Sequence, residues 1–257
     1  MPRALITGAS SGIGREFAEQ LAKRGYDLVL VARREARLRE LAVKLGRSGV
    51  DIEVLLADLG EATGLRRVRE RIAEGGSCDL VVNNAGFAIR GMAPDIALDD
   101  IAAMLLVNVE AAVGVSVAAM KRMMQQGQGG IINVASGMVF MQMPDNAGYA
   151  SSKNFVMAFT RHMQAEAAES GVYVQLLLPG VVATEMHQVA KVDLSGYPPE
   201  IVMQVEDLVA SSLKAFDTGE LVCIPSLAAP GLWDAYVAAE GALAVNVSRD
   251  SPAERYK

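Results

Sequence analysis

Short runs that are apolar from end to end alternate with helically periodic segments along nearly the whole chain. That alternation limits the fold more than any other feature of the sequence. "RALITG" reads as a buried strand, and "GREFAEQLAKRG" then sets Phe17 and Leu21 four residues apart before Gly25 stops the helix. "DLVLVAR", "DIEVLLADL", "DLVVNNAG", "GGIINVAS", "VYVQLLLPG" and "ELVCIPS" repeat the strand signal. The helices between them carry apolar stripes: Leu38, Leu41, Ala42 and Leu45; then Leu65, Val68 and Ile72; then a long stretch from about Asp99 to Gln126. One more helix has Phe155, Val156, Phe159 and Met163 at core-facing spacing. Strands without a polar face need cover on both sides. The expectation is therefore an α/β fold, a single doubly wound parallel sheet between two layers of helices.

The 257 residues suit one such domain, 1–257, with no repeat or linker. Glu185 to Glu200, "EMHQVAKVDLSGYPPE", breaks the alternation where a substrate lid would lie over the strand ends, although a plain surface loop fits too. The tail from about Ser248 to Lys257 reads as a surface extension. A net charge of −6 argues against nucleic acid or anionic lipid as partners. No apolar run reads as long enough to span a bilayer, and glycines come too early at the N-terminus for a secretory segment. Cys78 and Cys223 match no metal or redox spacing, and the two histidines, His162 and His187, form no metal-binding pattern. These features point to a cytoplasmic protein without a metal.

Chemistry gathers where strands end. The first strand empties into "TGASSGIG", Thr7 to Gly14, with Gly8, Gly12 and Gly14 spaced G-x3-G-x-G and a helix following. Glycine admits a close backbone approach, and a helix N-terminus offers free N–H groups to a pyrophosphate. Ser10, Ser11 and Ile13 belong to the same turn. Where a carboxylate would accept from an adenosine 2′-hydroxyl, the second strand ends in Ala32, Arg33 and Arg34. Two guanidiniums suit the 2′-phosphate of NADP, or else simply open a charged helix. Asp58 and Leu59 end the third strand, with Asp58 either accepting from an adenine amino group or capping the next helix. "NNAG", Asn83 to Gly86, ends the fourth, so Asn84, Ala85 and Gly86 either line a cofactor cleft or form a turn. In "GYASSK", Tyr149 and Lys153 stand one helical turn apart, a pair that alone would read as solvent-exposed.

Taken together, "TGASSGIG", "NNAG", Asn108, Ser136, "YASSK" and "PGVVAT" occur in the order and spacing of the short-chain dehydrogenase/reductase family, which this chain resembles over about residues 2 to 185. The resemblance implies a Rossmann fold. It also implies roles: Tyr149 as general acid/base, Lys153 as its activator and a ribose ligand, Ser136 as the group polarising a carbonyl, and Asn108 as support for a proton-relay water. By the same resemblance, Pro179, Gly180, Val182 and Thr184 border the nicotinamide. An ammonium one turn from a phenol of pKa about 10 is expected to favour the phenolate. Met138, Met141, Met143, Phe87 and Met186 are candidate pocket walls, or else core.

The function expected is NADP(H)-dependent interconversion of a carbonyl and an alcohol on a small-molecule apolar substrate. An NAD-preferring relative and a catalytically silent nucleotide sensor are the alternatives. The long Asp99–Gln126 stretch is apolar on more than one face, and related enzymes pair this helix and the Tyr149 helix between subunits; a homodimer or homotetramer is expected.

Overall fold

A computed structural model describes residues 1–185 and 196–257. The chain divides into two compact units, Met1–Pro225 and Ser226–Lys257. The extension expected from about 248 is thus the end of a longer C-terminal unit.

In the first unit the apolar runs become strands β1 (Arg3–Thr7), β2 (Asp27–Ala32), β3 (Ile52–Leu56), β4 (Leu80–Asn83), β5 (Gly129–Val134) and β6 (Val172–Leu177). Two shorter strands, β7 (Val181–Val182) and β8 (Val202–Met203), precede a last one, β9 (Val222–Cys223). The main sheet has the order β3-β2-β1-β4-β5-β6-β9, and every pairing in it is parallel. The doubly wound α/β fold is as expected. The chain order reverses between β1 and β4, which opens a crevice at the carboxyl ends of those strands.

Period-two alternation sends Ala4 and Ile6 into one core and Leu5 into the other. The first core is closed by α1 (Gly12–Lys23), α2 (Glu35–Gly46) and α7 (Val205–Asp217), through Phe17, Leu21, Leu38, Leu41 and Leu213. The second is closed by α3 (Ala62–Glu74), α5 (Ala112–Gln126) and α6 (Ala147–Ala167), through Leu65, Val68, Ile72, Val115, Met123 and Met163. Phe155 departs from its expected place. Val156, Met157, Thr160 and Met163 define the buried face of α6, which leaves Phe155 47% exposed on another face.

The long stretch is continuous helix from α4 (Leu98–Leu105) to α5, joined by a π-helical turn at Leu106–Ala111. By length and composition alone it is long and apolar enough to cross a membrane, contrary to the sequence expectation. Asn108 and Glu110 interrupt the apolar run but leave the stretch apolar on average. In this fold its α5 half packs on α3, β4 and β5. A small parallel pair, β7 with β8, was not anticipated, because two-residue strands leave no periodicity to read. Of the expected lid, Glu185 and residues 196–200 are described; 186–195, with candidate pocket residue Met186, lie outside the described residues.

The second unit carries α8 (Gly231–Ala244), in which the Trp233 and Tyr236 rings meet tilted at 30° with centroids 5.3 Å apart and the Tyr236 hydroxyl donates to Glu240 at 2.7 Å.

Candidate active site

The glycine turn is built around absent side chains. Gly8 has φ +70°, and a Cβ there would come within 2.8 Å of Asn84 Nδ2; one on Gly14 would lie 2.5 Å from the Gly8 carbonyl. Thr7 ties this turn to the end of β4: its Oγ1 accepts from Asn84 N at 2.9 Å and Ala85 N at 3.0 Å, while Asn84 Nδ2 donates to Thr7 O at 2.9 Å. Across the cleft, the Thr184 side chain would lie 3.4 Å from a Cβ on Gly12. The first turn of α1 holds no acidic residue, so its N–H groups meet no side-chain anion from their own turn. A glycine cradle with a clear helix N-terminus fits a dinucleotide pyrophosphate.

The expected catalytic residues converge at the carboxyl ends of β4 and β5. Ser136, just past β5, accepts from Met138 N at 3.2 Å, and its hydroxyl influences the buried Tyr149 side chain. Lys153, one turn on along α6, is also buried, and its Nζ donates to Val134 O at 3.0 Å. Asn108 projects from the π-helical turn: Oδ1 accepts from Phe87 N at 3.0 Å, and Nδ2 donates to Phe87 O at 2.9 Å and Ser152 Oγ at 3.0 Å. Ser152 in turn donates to the Tyr149 carbonyl at 2.7 Å. Gly86 leaves room between these groups, since a Cβ there would lie 3.0 Å from Asn108 Oδ1 and 3.3 Å from Lys153 Nζ.

One electrostatic expectation is corrected. Burial raises the Tyr149 pKa, and the Ser136 hydroxyl opposes that rise. Burial likewise brings Lys153 down to about 8. Desolvation therefore outweighs any pull of the ammonium on the phenol, and the phenol stays protonated at neutral pH.

At the other end of the cleft the two candidate arginines part company. Arg33 Nη1 reaches Asp58 Oδ2 at 3.4 Å, and Asp58 Oδ1 accepts from Gly60 N at 2.9 Å. Arg34 turns to the glycine loop, donating to Ser10 Oγ at 2.9 and 3.0 Å and to Ser11 Oγ. Two residues that the sequence reading passed over join it. Arg37 donates to Glu185 Oε2 at 2.6 Å, and Arg34 Nη1 reaches the same oxygen at 3.4 Å. The spacing of Arg37 from Arg34, the residue that caps α2, was the available signal; nothing local pointed to Glu185.

Other candidates settle differently. Leu59 is buried in a core, and Ile13 packs partly against one. Asn83 turns away from the cleft, donating to Ala112 O at 2.7 Å and Ser116 Oγ at 3.1 Å. Pro179 accepts from Gly137 N at 2.7 Å, Gly180 follows it exposed, and Val182 is buried beside β8. Met141 and Met143 are exposed rather than core, while Met138 and Phe87 are partly buried. Near them Arg90 makes a paired contact with Asp145 at 2.8 and 3.1 Å, and Asp145 adopts φ +63°. Both cysteines are buried with their thiols pushed up, Cys78 to about 11 and Cys223 to about 12.

Comparison with known proteins accords with this geometry. Residues 2–194 match the family model for short chain dehydrogenase. The chain is 34% identical to an uncharacterized oxidoreductase of Staphylococcus epidermidis over 71% of its own length and 79% of the relative's. A short-chain dehydrogenase from Sphingobium yanoikuyae in complex with NADPH superposes with a TM-score of 0.95 at 38% identity, covering 100% of both chains. A bulky-bulky ketone specific alcohol dehydrogenase from Comamonas testosteroni superposes at 0.91 with 34% identity, covering 100% of this chain and 98% of that one.

Proposed function

The chain belongs to the short-chain dehydrogenase/reductase family of oxidoreductases, and on that footing we propose that it is an NADP(H)-dependent enzyme interconverting a ketone or aldehyde and an alcohol, with Tyr149 as proton donor and acceptor. The observation that carries the reading is a buried tyrosine under the influence of the Ser136 hydroxyl, with buried Lys153 one turn away and its Nζ 3.3 Å from where a Cβ on Gly86 would stand. Arg34, Arg37 and the glycine cradle support NADP as the nucleotide, as does the NADPH bound to the Sphingobium relative.

When bound, the reduced nicotinamide supplies the hydride. The protein's own part is the proton. A phenol kept protonated by burial holds that proton ready for the carbonyl oxygen. Ser136, its Oγ accepting from Met138 N, donates to the same oxygen and stabilises the charge that develops there. Lys153 stabilises the phenolate that remains. Asn108, locked by Phe87 and Ser152, fixes the floor of the site and holds the relay that returns a proton. The preference of the Comamonas relative and the pliable, exposed Met141 and Met143 favour an apolar ketone of medium or large size.

Tyr149→Phe tests the assignment. Turnover of NADPH with a panel of ketones should fall by a factor of about 10² or more while NADPH still binds. Undiminished turnover in this variant would overturn the role given to Tyr149.

A further inference from the structure

The arginines available to a 2′-phosphate already hold an anion that belongs to the protein. Arg34 is fixed in place by the hydroxyls of Ser10 and Ser11, which aims its remaining amino group across the cleft. Arg37 stands one turn farther along α2. Both reach one oxygen of Glu185, which directly follows Thr184 on the opposite wall. Arg37 first and then Arg34 hold the Glu185 carboxyl below its usual range, so it carries its charge at neutral pH.

From this juxtaposition we propose that Glu185 is a built-in competitor for the 2′-phosphate: its carboxylate occupies Arg34 and Arg37 and must release them before a phosphorylated nucleotide can use them. Glu185 thereby sets how strongly NADPH is preferred over NADH. The inference rests on the NADP reading above. A phosphate brings more charge and three acceptor oxygens, so it wins the exchange. The ion pairs it breaks are about half exposed, and such pairs are individually weak. The penalty on NADPH is therefore modest. NADH carries nothing for these arginines and leaves Glu185 where it is.

Dissociation constants for NADPH and NADH, measured by fluorescence titration in wild type, Glu185→Gln and Arg37→Ala, test the proposal. Glu185→Gln keeps the shape and removes the charge; it should tighten NADPH by about three- to tenfold and leave NADH nearly unchanged. NADH binding also reports that each variant is folded. Arg37→Ala should weaken NADPH, and adding Glu185→Gln in that background should restore much less than it does alone. Adenosine 2′,5′-bisphosphate against 5′-AMP should repeat the pattern without the nicotinamide half. Wild type binding NADH more tightly than NADPH would sink the NADP reading itself. A wild type that prefers NADPH, with Glu185→Gln neutral or weakening, would sink only the competitor and would mean that Glu185 stays on the arginines as a clasp.

Discussion

Lys153 illustrates how a site residue can cost the resting protein stability. The Nζ is buried with the Val134 carbonyl as acceptor, and burial lowers its pKa from 10.5 to about 8. Between those values the unfolded chain binds more protons than the folded one, so stability attributable to Lys153 rises with pH through that window and is lowest below about 8. The shift corresponds to roughly 3 kcal/mol at neutral pH, partly offset by about 1 kcal/mol from the hydrogen bond. Lys153→Met should therefore abolish turnover yet raise the melting temperature of the nucleotide-free protein at pH 7, with the gain vanishing near pH 10. Melting curves across that range check it; a variant less stable than wild type at pH 7 would contradict the account. Lys153, Tyr149, Ser136 and Asn108 were legible through the family resemblance that the ordered motifs carry, since the Tyr149–Lys153 spacing alone reads as an exposed pair. Arg37 and Glu185 were not. A charged helix face looks alike whether it meets solvent or a partner some 148 residues away.

The helix from Leu98 to Gln126 carries two duties at once. Its π-helical turn pushes Asn108 inward, to Phe87 and Ser152. Its outer side leaves Leu105, Leu106 and Val109 along an open groove shared with Phe155 and Ser152 of α6. Phe155 lines this groove rather than the core, and we propose that a second copy of the chain covers the apolar lining. Light scattering should give a dimer or larger at micromolar concentration, and Leu106→Glu with Phe155→Glu should shift it to monomer. A monomeric wild type would refute this. The elements themselves were readable to different depths. Central strands, apolar on both faces, left plain runs; β7 and β8 are too short to leave any. The π-helical turn has no sequence signature of its own, since one extra residue per turn does not disturb a helix that is apolar nearly all round.

The whole sheet works as a device for bringing distant stretches of chain to one edge. β1 lies between β2 and β4, and the residue that clasps its glycine turn, Asn84, is 77 positions beyond Thr7. The α/β alternation announced this architecture. It could not announce which strand ends would touch, because strand order is a property of the packed molecule. The arrangement has a consequence for the nascent chain. Thr7 emerges early from the ribosome, but the Glu185 side of the cleft follows only roughly ten to forty seconds later at ordinary synthesis rates. The nucleotide thus cannot act as a template for early folding; it can only reward a sheet that has already assembled. In refolding from denaturant, saturating NADPH should leave the rate of helix recovery unchanged and slow only unfolding. Acceleration of the earliest phase by the nucleotide would show that the cradle forms from far less of the polypeptide than its hydrogen bonds require.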